Sequence, residues 1–92
     1  MSIEVGDRVR SFDFDGSPGG RDLEGERACY VEGVVEALVK VEGCLRYKIR
    51  VERDVFGGEE STTRVGRYCH PPVNGTPRLL GDALVTNFVE LL

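Results

Sequence analysis

The feature that most constrains the fold is an alternation of apolar and charged residues across residues 45–55. The two alternating sets are Leu45, Tyr47, Ile49, Val51 and Val55, and between them Arg46, Lys48, Arg50, Glu52 and Asp54. Successive side chains of a strand point to opposite faces of a sheet. This period of two therefore predicts a strand with one face against a core and the other face toward solvent.

Four further strands are predicted, over residues 7–14, 29–41, 62–70 and 83–92. In the first, Val5 and Val9 have one parity and Phe12 and Phe14 the other, so we expect a bulge or bend after Val9. In the strand over residues 62–70, Val65 and Cys69 are predicted to point inward. We expect the last strand to break near Asn87. The 12 glycines imply many turns. Together these signals predict a single all-β domain over residues 1–92 with almost no helix.

The turn between residues 29–41 and 45–55 sets the register of the central hairpin. A two-residue loop, Glu42-Gly43, would place the apolar face of one strand beside the charged face of the other. A three-residue loop that starts at Val41 pairs Val35 with Ile49 instead, and it gives Gly43 the left-handed position. Because a slip of one residue moves every side chain to the other face, we predict the three-residue loop.

The three-residue loop has a direct consequence for the two faces of the hairpin. The residues expected inside are Val35, Val39, Ile49 and Val51. The outward row is then Arg46, Lys48 and Arg50, and Glu36 faces Lys48 across the strands as an opposite-charge pair.

Residues 15–27 are predicted to form a long loop between the first two strands. The segment is rich in glycine and charge, and Leu23 is its one large apolar residue. Loops of this length are typical of functional or mobile segments. The simpler expectation is a solvated loop with Leu23 packed against the domain.

Charge and cysteine content restrict the class of protein. The formal net charge is −4, which disfavours a protein that mainly grips the phosphate backbone of nucleic acids, although a local basic patch remains compatible with it. Three cysteines without a signal sequence predict free thiols in the cytoplasm rather than a disulfide framework. No apolar run is long enough to span a membrane, so no membrane partner is expected.

Two segments resemble a known family pattern. Val5-Gly6-Asp7-Arg8-Val9 opens the first strand, and Glu32-Gly33-Val34-Val35-Glu36 leads into the charged hairpin. This arrangement is similar to KOW-type and Tudor-like SH3 barrels, and the likeness covers about half of the chain. The resemblance implies a small five-stranded SH3-like barrel with a long loop between strands 1 and 2. It also implies RNA, ribosomal or polymerase partners, or an aromatic cage for methylated side chains. The long loop departs from the KOW pattern.

Metal binding and catalysis have weak support in the sequence. Structural zinc sites usually contain close pairs of ligands, whereas Cys29, Cys44 and Cys69 are far apart. Cys69 and His70 are adjacent on a predicted strand and so point to opposite faces. We therefore expect no cofactor and no enzyme, and a small metal-binding or thiol protein is kept only as a minor alternative.

The best functional candidate is the outward face of the central hairpin. Tyr30, Val34 and Leu38 are expected to lie beside the basic row on the neighbouring strand. The residues predicted to bind a partner are Tyr30, Arg46, Lys48, Arg50 and Arg67. Basic groups beside aromatic and aliphatic ones suit a protein partner, with RNA or single-stranded DNA as the alternative. The sequence thus favours a non-enzymatic interaction module that is a monomer or a weak homodimer.

Overall fold

The computed structural model describes residues 3–18, 20–80, 83–87 and 89–92. The described residues form strands and turns without any helix. They therefore contain no helix that could span a membrane. The strands are β1 Arg8–Ser11, β2 Tyr30–Val41, β3 Cys44–Phe56, β4 Glu59–Ser61, β5 Tyr68–Cys69, β6 Thr76–Leu80, β7 Ala83–Asn87 and β8 Val89–Leu91. The predicted all-β class is confirmed, and β7 ends at Asn87, where a break was expected.

The main sheet is antiparallel and has the order β4-β3-β2-β1-β8, with β5 also paired to β3. Strands β6 and β7 form a separate two-stranded ribbon. The sheet does not close into a barrel, unlike the barrel that we predicted. Of the expected fourth strand over residues 62–70, only Tyr68–Cys69 (β5) is a strand. Residues 62–67 form a bend and a turn, and β4 lies before this range. With only two residues in β5, little backbone is left along that edge to continue the sheet.

The central hairpin has a two-residue loop, so the three-residue loop predicted from parity is wrong. Val41 pairs with Cys44, and the loop residues Glu42 and Gly43 have φ angles of 50° and 81°. Two consecutive left-handed residues are the mark of the tight turn that matches the right-handed twist of paired strands. The turn places Val39 directly opposite Arg46.

A bulge at Glu36 restores the pairing deeper in the sheet. The register shifts by one residue between Val35 and Ala37, so that Val35 pairs with Ile49 as predicted. A second shift, at Glu52 of β3, lies between the pairs Gly33–Val51 and Glu32–Arg53. Each bulge adds one residue to one strand and therefore exchanges the faces of that strand beyond it.

The core lies mainly on one face of the sheet. Val35, Ile49 and Val51 are buried as predicted, but Val39 is only half-buried, because it lies beyond the Glu36 bulge. Two apolar clusters share this face: Val9, Val35, Tyr47 and Ile49, and Phe14, Cys29, Val31 and Val51. A third cluster, on the other face, joins Phe12, Ala28, Tyr30 and Val55.

Several predicted core positions are exposed instead. Val5 and Val65 are 57% and 43% exposed, because each lies in a turn outside the paired strands. Leu23 is 51% exposed and belongs to none of the three apolar clusters. Cys69 does point inward and packs against both clusters of the main core.

Two glycines provide a matched test of this register. A Cβ atom at Gly33 would lie 2.0 Å from the carbonyl oxygen of Arg50, whereas one at Gly43 would meet nothing within 4 Å. We expect Gly33→Ala to cost about 3 kcal/mol or more, because two paired backbones must separate. We expect Gly43→Ala to cost only about 1 kcal/mol, the strain of a left-handed alanine. Urea unfolding of both variants measures the difference, and equal losses would contradict the register.

Candidate functional site

The basic row lies on one face of β3. Tyr47, Ile49 and Val51 are buried on the core face, so the alternating residues Arg46, Lys48 and Arg50 occupy the opposite face. Directly paired residues share a face, which places Ala37 beside Lys48 and Val39 beside Arg46. The short strand β5 adds Tyr68, which pairs with Arg50.

These residues border an open concavity beside the hairpin. We call its basic part the hairpin groove and define it by Val39, Val41, Arg46, Lys48, Tyr68 and His70. Leu38 pairs with Tyr47 and so lies on the core face, contrary to the expectation that it flanks the basic row. Val34 pairs with Arg50 and does share the face of the row.

The cations of the groove contact backbone and ring groups rather than carboxylates. Arg46 donates from Nη1 to the carbonyl oxygen of His70 over 2.8 Å. The Nζ atom of Lys48 lies 4.5 Å from the centre of the Tyr68 ring, a cation–π contact. Among the described residues, neither cation forms an ion pair, and both side chains are only half-buried. Their positive charge is therefore available to a partner.

Arg50 has a different environment from the other two residues of the row. Its Nε donates to Oε2 of Glu36 over 2.8 Å, and the Tyr68 hydroxyl donates to Oε1 of the same carboxylate over 2.9 Å. The bond to Glu36 is the main reason that the pKa of Tyr68 is raised. Glu36 was predicted to face Lys48, but its bulge position directs it to Arg50 instead. Arg50 is neutralised and stands at the border of the groove.

Tyr30 does not belong to this surface. It is 6% exposed and packs edge-to-face on Phe12, with ring centres 5.7 Å apart. The guanidinium groups of Arg10 and Arg53 lie 5.0 and 5.9 Å from its ring centre. Tyr30 pairs with Val55, at the far end of β2 from the turn. Its predicted exposure was wrong, because its neighbours form a small core on that face.

Arg67 is exposed and borders the same concavity. Its carbonyl oxygen accepts the Val51 amide over 2.9 Å, which fixes the backbone just before β5. No ion pair to its side chain occurs within the described ranges. The structure thus brings together three predicted residues, Arg46, Lys48 and Arg67. Tyr30 lies apart from these three residues, and Arg50 forms an ion pair with Glu36.

The remaining arginines of this face of the sheet form ion pairs. Arg8 contacts Glu52 over 3.0 Å, and Arg10 contacts Glu32 over 2.9 Å. Arg53 donates to Glu60 over 2.7 Å and also reaches Glu32. Carboxylates therefore neutralise Arg8, Arg10 and Arg53, whereas no carboxylate is among the residues that define the hairpin groove. Among the described residues, the cations without an ion pair are Arg46 and Lys48 at the groove, Arg67 on the same concavity, and Arg27 and Lys40 outside it, in a chain of net charge −4.

A buried ion pair, which the sequence reasoning missed, holds β5 in position. Asp54 was predicted to point outward but is fully buried, because the Glu52 bulge turns it to the core face. Its Oδ2 accepts the backbone amide of Arg64 over 3.2 Å and lies 3.4 Å from the guanidinium. That guanidinium also covers the rings of Phe14 and Phe56, at 4.7 and 5.1 Å from their centres. These contacts tie the turn before β5 to the sheet.

The three cysteines are free thiols that differ in burial. Burial, followed by the charges of Asp13 and Asp15, raises the pKa of the Cys69 thiol to about 12. Cys29 is buried and its sulfur accepts the amide of Gly57 over 3.3 Å. Cys44 is half-buried at the tight turn. Within the part of the chain that the structure describes, no three potential ligands are grouped as a metal ion requires.

Comparison of the chain with protein-family models, with curated proteins and with solved structures finds no match in any of the three. A proposal for its function therefore depends on the contacts described above.

The Asp54–Arg64 pair gives a stability prediction. We expect Arg64→Ala to lower the free energy of unfolding by about 3 kcal/mol, because it leaves a buried carboxylate without its cation. Arg8→Ala, which removes an exposed pair with Glu52, should cost less than about 1 kcal/mol. Urea unfolding at neutral pH compares the two variants, and similar losses would show that Asp54 is not held as the structure indicates.

The thiols give a second prediction. Only the thiolate attacks iodoacetamide at a useful rate. At pH 8 we expect Cys44 to be alkylated first, with Cys69 protected by burial and by its raised pKa. Peptide mass spectrometry over a time course measures the order, and unfolded protein in urea provides the reference in which all three thiols react. Rapid labelling of native Cys69 would contradict the burial of this strand.

Proposed function

We propose that the chain is a non-enzymatic interaction module that binds an acidic segment of a protein partner in the hairpin groove. The observation that supports this most is the pair Arg46 and Lys48, which have no carboxylate partner among the described residues. Half-buried Val39 and 48%-exposed Val41 lie beside them. Cations next to exposed apolar side chains suit a partner that carries both carboxylates and aliphatic groups.

The architecture beneath the groove is proposed to be an opened SH3-like barrel. The strand order supports this proposal, because β1, β2 and β3 form a meander and the C-terminal strand β8 returns to pair with β1. The short β5 on the far side of β3 would occupy the place of the fourth barrel strand. The proposal concerns architecture only, since a small barrel can serve many functions.

A protein partner fits the groove better than a nucleic acid does. Single-stranded nucleic acids bind by stacking bases on exposed aromatic faces along a basic track. Here one face of Tyr68 is covered by Lys48, and its hydroxyl is bonded to Glu36. Arg50 is paired as well, which shortens the basic track. Few phosphate contacts remain for a chain with net charge −4.

Charge reversal in the groove tests the proposal. Immobilised wild-type chain, Lys48→Glu and Arg27→Glu are each incubated with lysate of the source cells, and captured proteins are quantified by mass spectrometry. Arg27 is an exposed cation beyond the opposite end of β2, so its reversal makes the same change in net charge outside the groove. We expect a partner with an acidic segment to bind wild type and Arg27→Glu. Its capture by Lys48→Glu should fall at least tenfold, a loss of about 1.4 kcal/mol.

Two further measurements complete the test. Thermal unfolding of the three proteins shows whether Lys48→Glu is folded, and Lys48→Gln provides a milder variant if it is not. A labelled oligothymidylate is titrated in parallel at low salt. Identical capture by all the folded variants would overturn the proposal. Oligonucleotide binding that weakens with salt and is lost in Lys48→Glu would replace the protein partner by a nucleic acid.

A further inference from the structure

A projecting acidic segment lies at the end of the molecule opposite to the hairpin groove. Asp22, Leu23 and Glu24 are exposed, and Leu23 retains 51% of its accessible surface. Neither carboxylate forms an ion pair with any described residue. We call residues 22–24 the acidic knob. The knob carries an aliphatic side chain between two carboxylates. These groups match the cations and valines of the hairpin groove.

The acidic knob is held at both ends by contacts to the sheet. On one side, Arg21 forms an ion pair with Glu90 of β8. On the other, the carbonyl oxygen of Gly25 accepts the amide of Ala28 over 3.1 Å. Gly58 approaches the same carbonyl so closely that a Cβ atom there would lie 2.4 Å from the oxygen. Fixed ends reduce the conformational entropy that the knob would lose on binding.

No hydrogen bond or ion pair joins the knob to the groove of its own molecule among the described residues. The flanking contacts of the knob are to Glu90 of β8 and to Gly58, whereas Lys48 pairs with Ala37, nine residues along the chain from Ala28. The groove of another molecule is therefore the one considered for this knob.

We propose that the acidic knob of one copy of the chain docks in the hairpin groove of a second copy. This inference deepens the proposed function, because it assumes the same groove and names its occupant. Asp22 and Glu24 face Arg46 and Lys48 of the other copy, and Leu23 covers Val39 and Val41. The exchange is reciprocal, so two copies related by a two-fold axis bury both grooves.

Electrostatic repulsion between the two chains makes this dimer weak. Two chains of net charge −4 repel each other, and each knob supplies only two carboxylates and one leucine. Raising the ionic strength screens this long-range repulsion more than the direct contact between knob and groove. The dimer therefore forms at high protein concentration and at an ionic strength that screens the repulsion between the chains, and a partner with a more acidic segment displaces it.

A charge-swap experiment tests this dimer. Sedimentation equilibrium is measured for wild type, Lys48→Glu, Glu24→Lys and an equimolar mixture of the two variants, up to about 1 mM protein at about 10 mM and about 150 mM salt, where the Debye lengths are about 30 and about 8 Å. We expect wild type to dimerise and each variant alone to dimerise at least tenfold more weakly. The mixture should recover dimerisation, because one interface keeps the native charges and the other has them exchanged.

A matched control separates this effect from net charge. Glu4→Lys makes the same change of charge as Glu24→Lys, at an exposed residue near the N-terminus, and it should dimerise at least as well as wild type. Wild type that stays monomeric at both salt concentrations, or variants that do not recover dimerisation on mixing, would overturn the dimer. Partner capture that depends on Lys48 would still hold in that case, so the two proposals fail separately.

Discussion

The arrangement of this molecule depends on one extra residue in β2, Glu36. The tight turn at Glu42 and Gly43 requires Val41 to pair with Cys44, whereas the core requires Val35 to pair with Ile49. Uninterrupted pairing cannot satisfy both, since the two pairs differ by one residue in register. The bulge absorbs this difference and leaves Glu36 as an unpaired residue between two regular ladders. Burial of Val35 and Ile49, both fully inaccessible, compensates for the broken ladder.

The same bulge creates the chemistry of the hairpin groove. Beyond it, Val39 and Val41 change to the face that carries Arg46 and Lys48, while Leu38 changes to the core face. Without the extra residue, these valines would extend the core and the cations would lie on a purely polar face. With it, aliphatic and cationic side chains lie side by side. Glu36 itself neutralises Arg50, which limits the uncompensated charge to the end of the hairpin.

The sequence indicated both the tight turn and the core pairing, which require different registers. Our prediction reconciled the two registers with a longer loop, which is wrong. Parity showed that a two-residue loop sets apolar residues against charged ones, and a longer loop removed the conflict in a single step. A bulge removes it equally well, and parity alone does not distinguish the two solutions. The strand character of residues 45–55 and the pairing of Val35 with Ile49 could be predicted, because each depends on local alternation and burial. The position of Val39 could not, because it depends on where the register shifts.

Tyr30 and Asp54 were misplaced for related reasons. Tyr30 belongs to the polar parity of β2, but it lies at the end of the strand where Phe12 and Val55 form a second, smaller core. Asp54 belongs to the charged parity of β3, but the Glu52 bulge turns it inward to Arg64. Alternation predicts a face only between bulges. Three of the five predicted binding residues nevertheless border one concavity, since β3 itself has no bulge between Arg46 and Val51 and Arg67 is tied to Val51.

The charges that stabilise the fold are therefore not those of the hairpin groove. The arginines below the groove, and Arg64 at the core, are paired and hold strands and turns together. Arg46 and Lys48 contribute only a bond to a carbonyl and a ring contact, interactions of about 1 kcal/mol each. Reversing one of them changes the potential of the groove strongly but the free energy of unfolding only slightly. The fold thus does not depend on the charge of the groove, as the proposed role of Arg46 and Lys48 in binding requires.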